Sequence, residues 1–186
     1  MAVTQKTVKI YHRLVEALGG HVVHPPTSVE LAQDALVLDL KHPLPARLRF
    51  YAYAARYTDA ERQGRVYKSQ LTRGLVNPAV QAFRLRFDRT NGAAPVVVGY
   101  AEAWDVFIMW DAAVHDRGDG FPYSKMVAVP DRVVRQALTK DWVEHTRAPY
   151  GSGRSIEETV IVTKASRLVP ALGHRVRLSR EALLRR

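Results

Sequence analysis

Two stretches of the chain alternate polar and apolar residues with period two. One is Arg47-Leu48-Arg49-Phe50-Tyr51-Ala52-Tyr53; the other runs from Phe83 to Asp88 through Arg84 and Arg86. In an extended strand, one parity faces a core and the other turns away from it. Arg47, Arg49, Tyr51 and Tyr53 would then share an outward face, and Arg84 and Arg86 another. Arginine forks pair with phosphate oxygens, and tyrosines add hydroxyl contacts or stack on bases. Arg47, Arg49, Arg84 and Arg86 are therefore the expected phosphate contacts. The plainer alternative is a solvated sheet face.

A second constellation lies between Glu61 and Arg73. Arg62, Arg65, Lys68, Gln70 and Arg73 combine cations and an amide beside Gly64. Arginine and lysine read guanine edges, and glutamine reads adenine. These five are the expected base-edge or loop contacts, against the alternative of a polar loop leading into an edge strand.

A third group is aromatic. In Trp104-Asp105-Val106-Phe107-Ile108-Met109-Trp110-Asp111, Phe107 and Met109 share one face, and Val106, Ile108 and Trp110 the other. Most of these read as core. Phe121-Pro122-Tyr123-Ser124-Lys125 differs, because an aromatic, a hydroxyl and a cation flank a proline turn. Were a base extruded from a duplex, Trp110 and Tyr123 would be stacking walls and Asp111 an edge reader, with Ser124 and Lys125 completing a pocket.

A fourth pattern is Glu30, Asp39 and Lys41. Two carboxylates and a lysine are the parts of a Mg²⁺-dependent restriction-type nuclease. The spacing is poor for that chemistry, since Glu30 falls in a short helix. It stands as the enzymatic alternative to a binding module without its own catalytic site. His21 and His24 precede Pro25-Pro26 and form no helical H-x-x-x-H pair, so no metal site and no cofactor is expected.

The elements that must position these residues are mostly strands. Val8, Tyr11, Leu14, Val15 and Leu18 recur at helical spacing, which predicts a helix over 4–18 with Thr4 as cap and Gly19-Gly20 as stop. Thr27 and Glu30 have capping-box spacing. From Ala35 the pattern becomes β, with strands expected at 35–40, 47–53, 65–71, 83–87, 95–100, 104–110, 123–129, 142–147 and 159–164. Residues 58–64 read as a polar loop, and Asn91-Gly92 as a hairpin signal. Pro130-Asp131 opens a short helix burying Val133, Val134, Ala137 and Leu138, and Ser179 caps a last helix over about 179–186. Strand runs dominate without βαβ alternation. The expected class is therefore α+β: a strand-rich bent sheet or β-barrel flanked by a few helices. The whole chain, 1–186, reads as one domain with its β-rich core over about 35–164.

Composition narrows the partners. The 186 residues carry 28 Lys+Arg against 18 Asp+Glu, a formal net charge of +10, with no cysteine. Thiolate-ligated metal sites and disulfides are excluded. No apolar run is long enough to span a bilayer, and the first residues lack a signal-peptide core, so a cytoplasmic location is expected and a membrane partner is not. Half of the excess, +5, lies in residues 61–90, whereas residues 91–140 carry a net −1. A basic rim beside a more acidic, aromatic segment fits a polyanionic partner.

The order of motifs resembles a domain of bacterial restriction–modification systems that occurs near DNA methylases or fused to endonuclease domains. The likeness rests on Glu61, Arg62, Tyr67, Lys68 and Gln70; on Gly99 and Tyr100; on Asp105 to Ala112 and His115; and on Phe121, Tyr123, Ser124 and Lys125. It covers roughly residues 60–130. The resemblance implies a DNA-recognition domain, with a pseudobarrel fold like those of plant-type and modified-base-type DNA readers. It also implies double-stranded DNA, unmodified or modified, as ligand and an endonuclease or methylase as partner. No H-N-H signature or helicase motif is present, so cleavage would be supplied elsewhere. RNA binding through Tyr51 and Tyr53 is the remaining alternative.

Overall fold

The computed structural model describes residues 3–60, 64–72, 86–116, 125–147 and 157–184. Helix α1 (Gln5–Leu18) forms where the spacing predicts it. The Thr4 hydroxyl accepts the Thr7 N–H at 3.3 Å, and Ile10, Tyr11, Leu14 and Leu18 are buried. Gly19 ends the helix at φ +51°, a conformation that suits a residue without Cβ. In α2 (Ser28–Leu31), the Thr27 and Glu30 side chains close a reciprocal capping box.

Among the described residues nine strands follow: β1 (Leu36–Asp39), β2 (Arg47–Ala54), β3 (Arg56–Ala60), β4 (Gly64–Leu71), β5 (Ala94–Ala101), β6 (Val106–Trp110), β7 (Lys125–Pro130), β8 (Val143–Arg147) and β9 (Glu158–Lys164). They make a six-stranded sheet in the order β1-β2-β5-β6-β9-β8 and a three-stranded sheet in the order β3-β4-β7. Among the described strands, only β2 and β5 pair in parallel. The remaining α-helices of the described residues are α3 (Ala112–His115), α4 (Asp131–Gln136) and α5 (Leu168–Leu184). No described helix is long and apolar enough to cross a membrane.

The large sheet is covered on both sides. One core packs α1 and α5 against Leu48, Phe50, Phe107 and Met109. The other packs the three-stranded sheet and α4 against Tyr51, Val106, Ile108 and Trp110. Every residue of β6 is buried, as expected of a central strand sandwiched between two layers.

The α+β class holds, but the described strands close no barrel. The chain splits them into two sheets instead, because β3 turns out of β2 to start a second layer. The predicted loop at 58–64 hides that strand, since β3 is short and polar. Asn91-Gly92 sits in a tight turn, both residues at positive φ, but leads into a strand that pairs with β2 and β6. The last helix opens at Leu168, well before Ser179. Pro170 falls in its first turn, where the missing N–H costs no helical bond. The predicted strand at 83–87 lies largely outside the described residues; Arg86 and Phe87 are not in a strand.

The expected outward face of β2 is corrected by this layering. Tyr51 is 1% exposed, packs against Phe87, and accepts the Asp88 N–H on its hydroxyl at 2.8 Å. Arg49 is 7% exposed and ion-paired with Asp88. Period-two alternation reported two different buried faces, not one buried and one wet.

Candidate nucleic-acid interface

Helix α1 buries one side and leaves Lys6, Lys9 and Arg13 on another, at i, i+3 and i+7. Across from it stands the β3–β4 hairpin. Arg56 of β3 lies directly opposite Lys68 of β4, and Gln70 opposite Met126 of β7. Residues opposite one another in a ladder share a face, so Arg56, Lys68, Gln70 and Met126 form one surface of the small sheet.

Between helix and hairpin lie two hollows. The first, about 450 Å³, is lined by Lys6, Lys9, Arg13, Arg56, Tyr57 and Tyr100, among others. The second, about 590 Å³, is lined by Lys6, Tyr53, Arg56, Tyr57, Lys68 and Gln70, among others. Lys6, Arg56 and Tyr57 belong to both, so the two form one continuous groove.

Its charge is largely unneutralised. Arg13 is engaged, holding Asp105 through two bonds of 2.7 and 2.6 Å and Glu16 at 2.8 Å. The Asp105 bond comes first among the causes that raise the Arg13 pKa further above its ordinary value. Lys6, Lys9, Arg56 and Lys68 form no ion pair with a described residue. Tyr57 is 48% exposed and meets Tyr67 edge-on at 5.6 Å. Tyr67 is fixed in turn, since its hydroxyl accepts the Trp104 indole N–H. The groove thus offers four cations free of ion pairs, an amide and a supported aromatic wall, against one carboxylate on its lining, Glu102.

The predicted residues divide. Lys68 and Gln70 line the groove. Arg65 is exposed near Asp59, 3.8 Å away on the facing strand. Arg47 is exposed, but both its forks grip Asp39, at 2.6 and 3.0 Å. Arg86 is exposed, and Arg49 is committed to Asp88. Arg62, Arg73, Arg84, Tyr123 and Ser124 lie outside the described residues. Sequence reasoning missed Lys6, Lys9, Arg56 and Tyr57. The helical spacing of the two lysines was the available signal; Arg56 had none while β3 read as loop.

The carboxylates of the nuclease pattern have structural roles. Glu30 accepts the Thr27 N–H at 2.7 Å and its hydroxyl at 2.8 Å, which holds its pKa below the usual carboxylate range. Asp39 is likewise lowered, first by its bond to Arg47. Lys41 is exposed. Among the described residues, no three His, Asp or Glu side chains gather as a metal would require.

Trp110 and Asp111 are 1% and 4% exposed, at the end of β6. Asp111 caps α3 by accepting the Ala113 N–H at 2.9 Å, while its own N–H donates to Glu158 at 3.0 Å. Glu158 is 1% exposed and also meets His115 at 2.9 Å and both forks of Arg147 at 2.9 and 2.7 Å. Burial alone would raise its pKa, but His115 and Arg147 outweigh this and bring it to about 2. Lys125 is half-buried, and its pKa is lowered, first by desolvation and against the pull of Glu158. Trp110 and Asp111 also line a separate cleft of about 280 Å³ at the start of β5, closed by α5; Lys125 is not part of its lining.

No curated protein and no solved structure matches the chain. The family model described as methylase-associated X1 matches residues 46–172, which takes in β2 to β9, the whole small sheet and all of the large one but β1, while α1 and β1 lie outside the match. With more than half of its length matched, the chain belongs to the methylase-associated X1 family.

Proposed function

We propose that the chain is a double-stranded DNA-binding module of a restriction–modification system, reading a specific or modified site while another domain or protein cuts. The observation that carries this is the groove between α1 and the β3–β4 hairpin. Its cations Lys6, Lys9, Arg56 and Lys68 have no acidic partner among the described residues. Such a cluster repels itself unless it meets an anion, and a phosphate backbone supplies evenly spaced anions. Lys6, Lys9 and Arg56 take phosphates, while Lys68 and Gln70 approach base edges across the exposed face of the hairpin. Membership of a methylase-associated family supports a methylase as the neighbouring partner.

The test is binding of the pure chain to short duplexes, unmodified and carrying methylated or hydroxymethylated bases, over a range of salt. Three neutralised phosphates predict a log–log salt slope of about −3. Salt-independent affinity, or single-stranded RNA outcompeting duplex DNA, would overturn the assignment.

A further inference from the structure

The cleft at the start of β5 stands apart from the groove. The cleft takes Ala94 to Val96, whereas the groove takes Tyr100 at the other end of the same strand. At the rise of a β-strand, four to six residues separate the two by about 13–20 Å.

Its walls are apolar: Ala94, Pro95, Val96, Ala112, Val176 and Leu183. Its buried polar lining carries both signs. Arg175 is 3% exposed and donates to the Thr159 carbonyl and to the Ser179 hydroxyl, the latter at 3.1 Å. Its Nε–H is buried and has no partner among the described residues. The Asp111 carboxylate stands 3.5 Å from Arg175 and retains acceptor capacity beyond the Ala113 N–H. Exposed Arg89 and Arg180 line the same cleft. Arg89 has only a loose approach to Asp116, at 3.7 Å.

A ligand matching this needs a body with apolar faces, an edge with both a donor and an acceptor, and an anionic group. The cleft volume lies near the lower end of small-molecule sites, about 300 Å³, so the ligand is small. We propose that the cleft binds a single nucleotide. The base lies between the walls, its edge meets Arg175 and Asp111, and its phosphate is held by Arg89 and Arg180. A free nucleotide and an unstacked nucleotide of a DNA strand share this chemistry.

The full chain is titrated calorimetrically with nucleoside 5′-monophosphates, the matching nucleosides and inorganic phosphate. Fully paired duplexes and duplexes with one mismatched base form the second arm. Monophosphates should bind more tightly than either fragment. Arg180→Glu, on the exposed helix face, should weaken them at least tenfold with unchanged melting, and Ala94→Trp should fill the cleft and abolish binding. Nucleotide binding without mismatch preference identifies a soluble nucleotide. A mismatch preference removed by Arg180→Glu identifies a strand nucleotide. Absence of both, or inorganic phosphate binding as well as the nucleotides, overturns the proposal. Loss of duplex affinity in Arg56→Glu with nucleotide binding intact keeps the two sites distinct. Duplex binding with neither nucleotide binding nor mismatch preference removes the cleft alone.

Discussion

Arg56 and Lys68 face each other directly across the β3–β4 ladder. Like charges placed opposite on a sheet repel, and no described acid relieves this pair. Such a pair is a stability cost in isolation and an asset when an anion bridges it. Charge reversal of either residue should therefore leave the fold intact and weaken duplex binding. Arg56→Glu should cost at least tenfold in affinity and reduce the magnitude of the salt slope by about 1. Fluorescence anisotropy at several salt concentrations measures both.

Arg47 and Arg49 lie on one strand, two residues apart, with opposite expectations. The exposed Arg47–Asp39 pair contributes little, so Arg47→Ala should leave the melting temperature nearly unchanged. Arg49 is buried against Asp88, and its removal strands that partner near Tyr51 and Phe87. Arg49→Ala should destabilise the chain by about 1–2 kcal/mol, mostly through the lost packing of the buried Arg49 stem, because Asp88 keeps contact with solvent. Urea unfolding of the two variants makes the comparison.

Gly99 is required by packing. A Cβ there would lie 2.6 Å from Cη2 of Trp110, 2.7 Å from its Cζ3 and 2.8 Å from Oγ of Ser69. The indole is fully buried and cannot move aside cheaply. Gly99→Ala should cost about 1–3 kcal/mol, the range for overpacking a core. Thermal unfolding checks the loss.

The buried Glu158 makes stability acid-sensitive. Its folded pKa, about 2, lies below the ordinary glutamate value of 4.5. The unfolded chain therefore binds this proton more readily, and stability falls as pH drops below 4.5 towards 2. Above that window the contribution is fully present. Glu158→Gln should remove this part of the acid sensitivity and destabilise the chain at pH 7, because Arg147 and His115 lose their shared partner. Unfolding free energies of both proteins between pH 2 and 7 test the sign.

Elements with a complete local signal were legible in the sequence. α1 has a cap, a helical apolar stripe and a glycine stop, and β6 splits its side chains between two faces as its alternation predicts. β4 likewise places Lys68 and Gln70 on the face opposite Tyr67 and Leu71. The excess of basic residues was equally plain. Whether a face was wet was not. Alternation tells which residues share a side of a strand, but it does not say whether a second layer covers that side. Tyr51 and Arg49 read as surface because their strand alone cannot show the three-stranded sheet and the Phe87–Asp88 segment that cover them. The groove was hidden for the same reason, since Lys6 and Lys9 meet Arg56 and Lys68 only once α1 and the hairpin pack on the folded sheet. Sequence determined the local periods and the charge; long-range packing decided which charges were neutralised and which were left facing an anion.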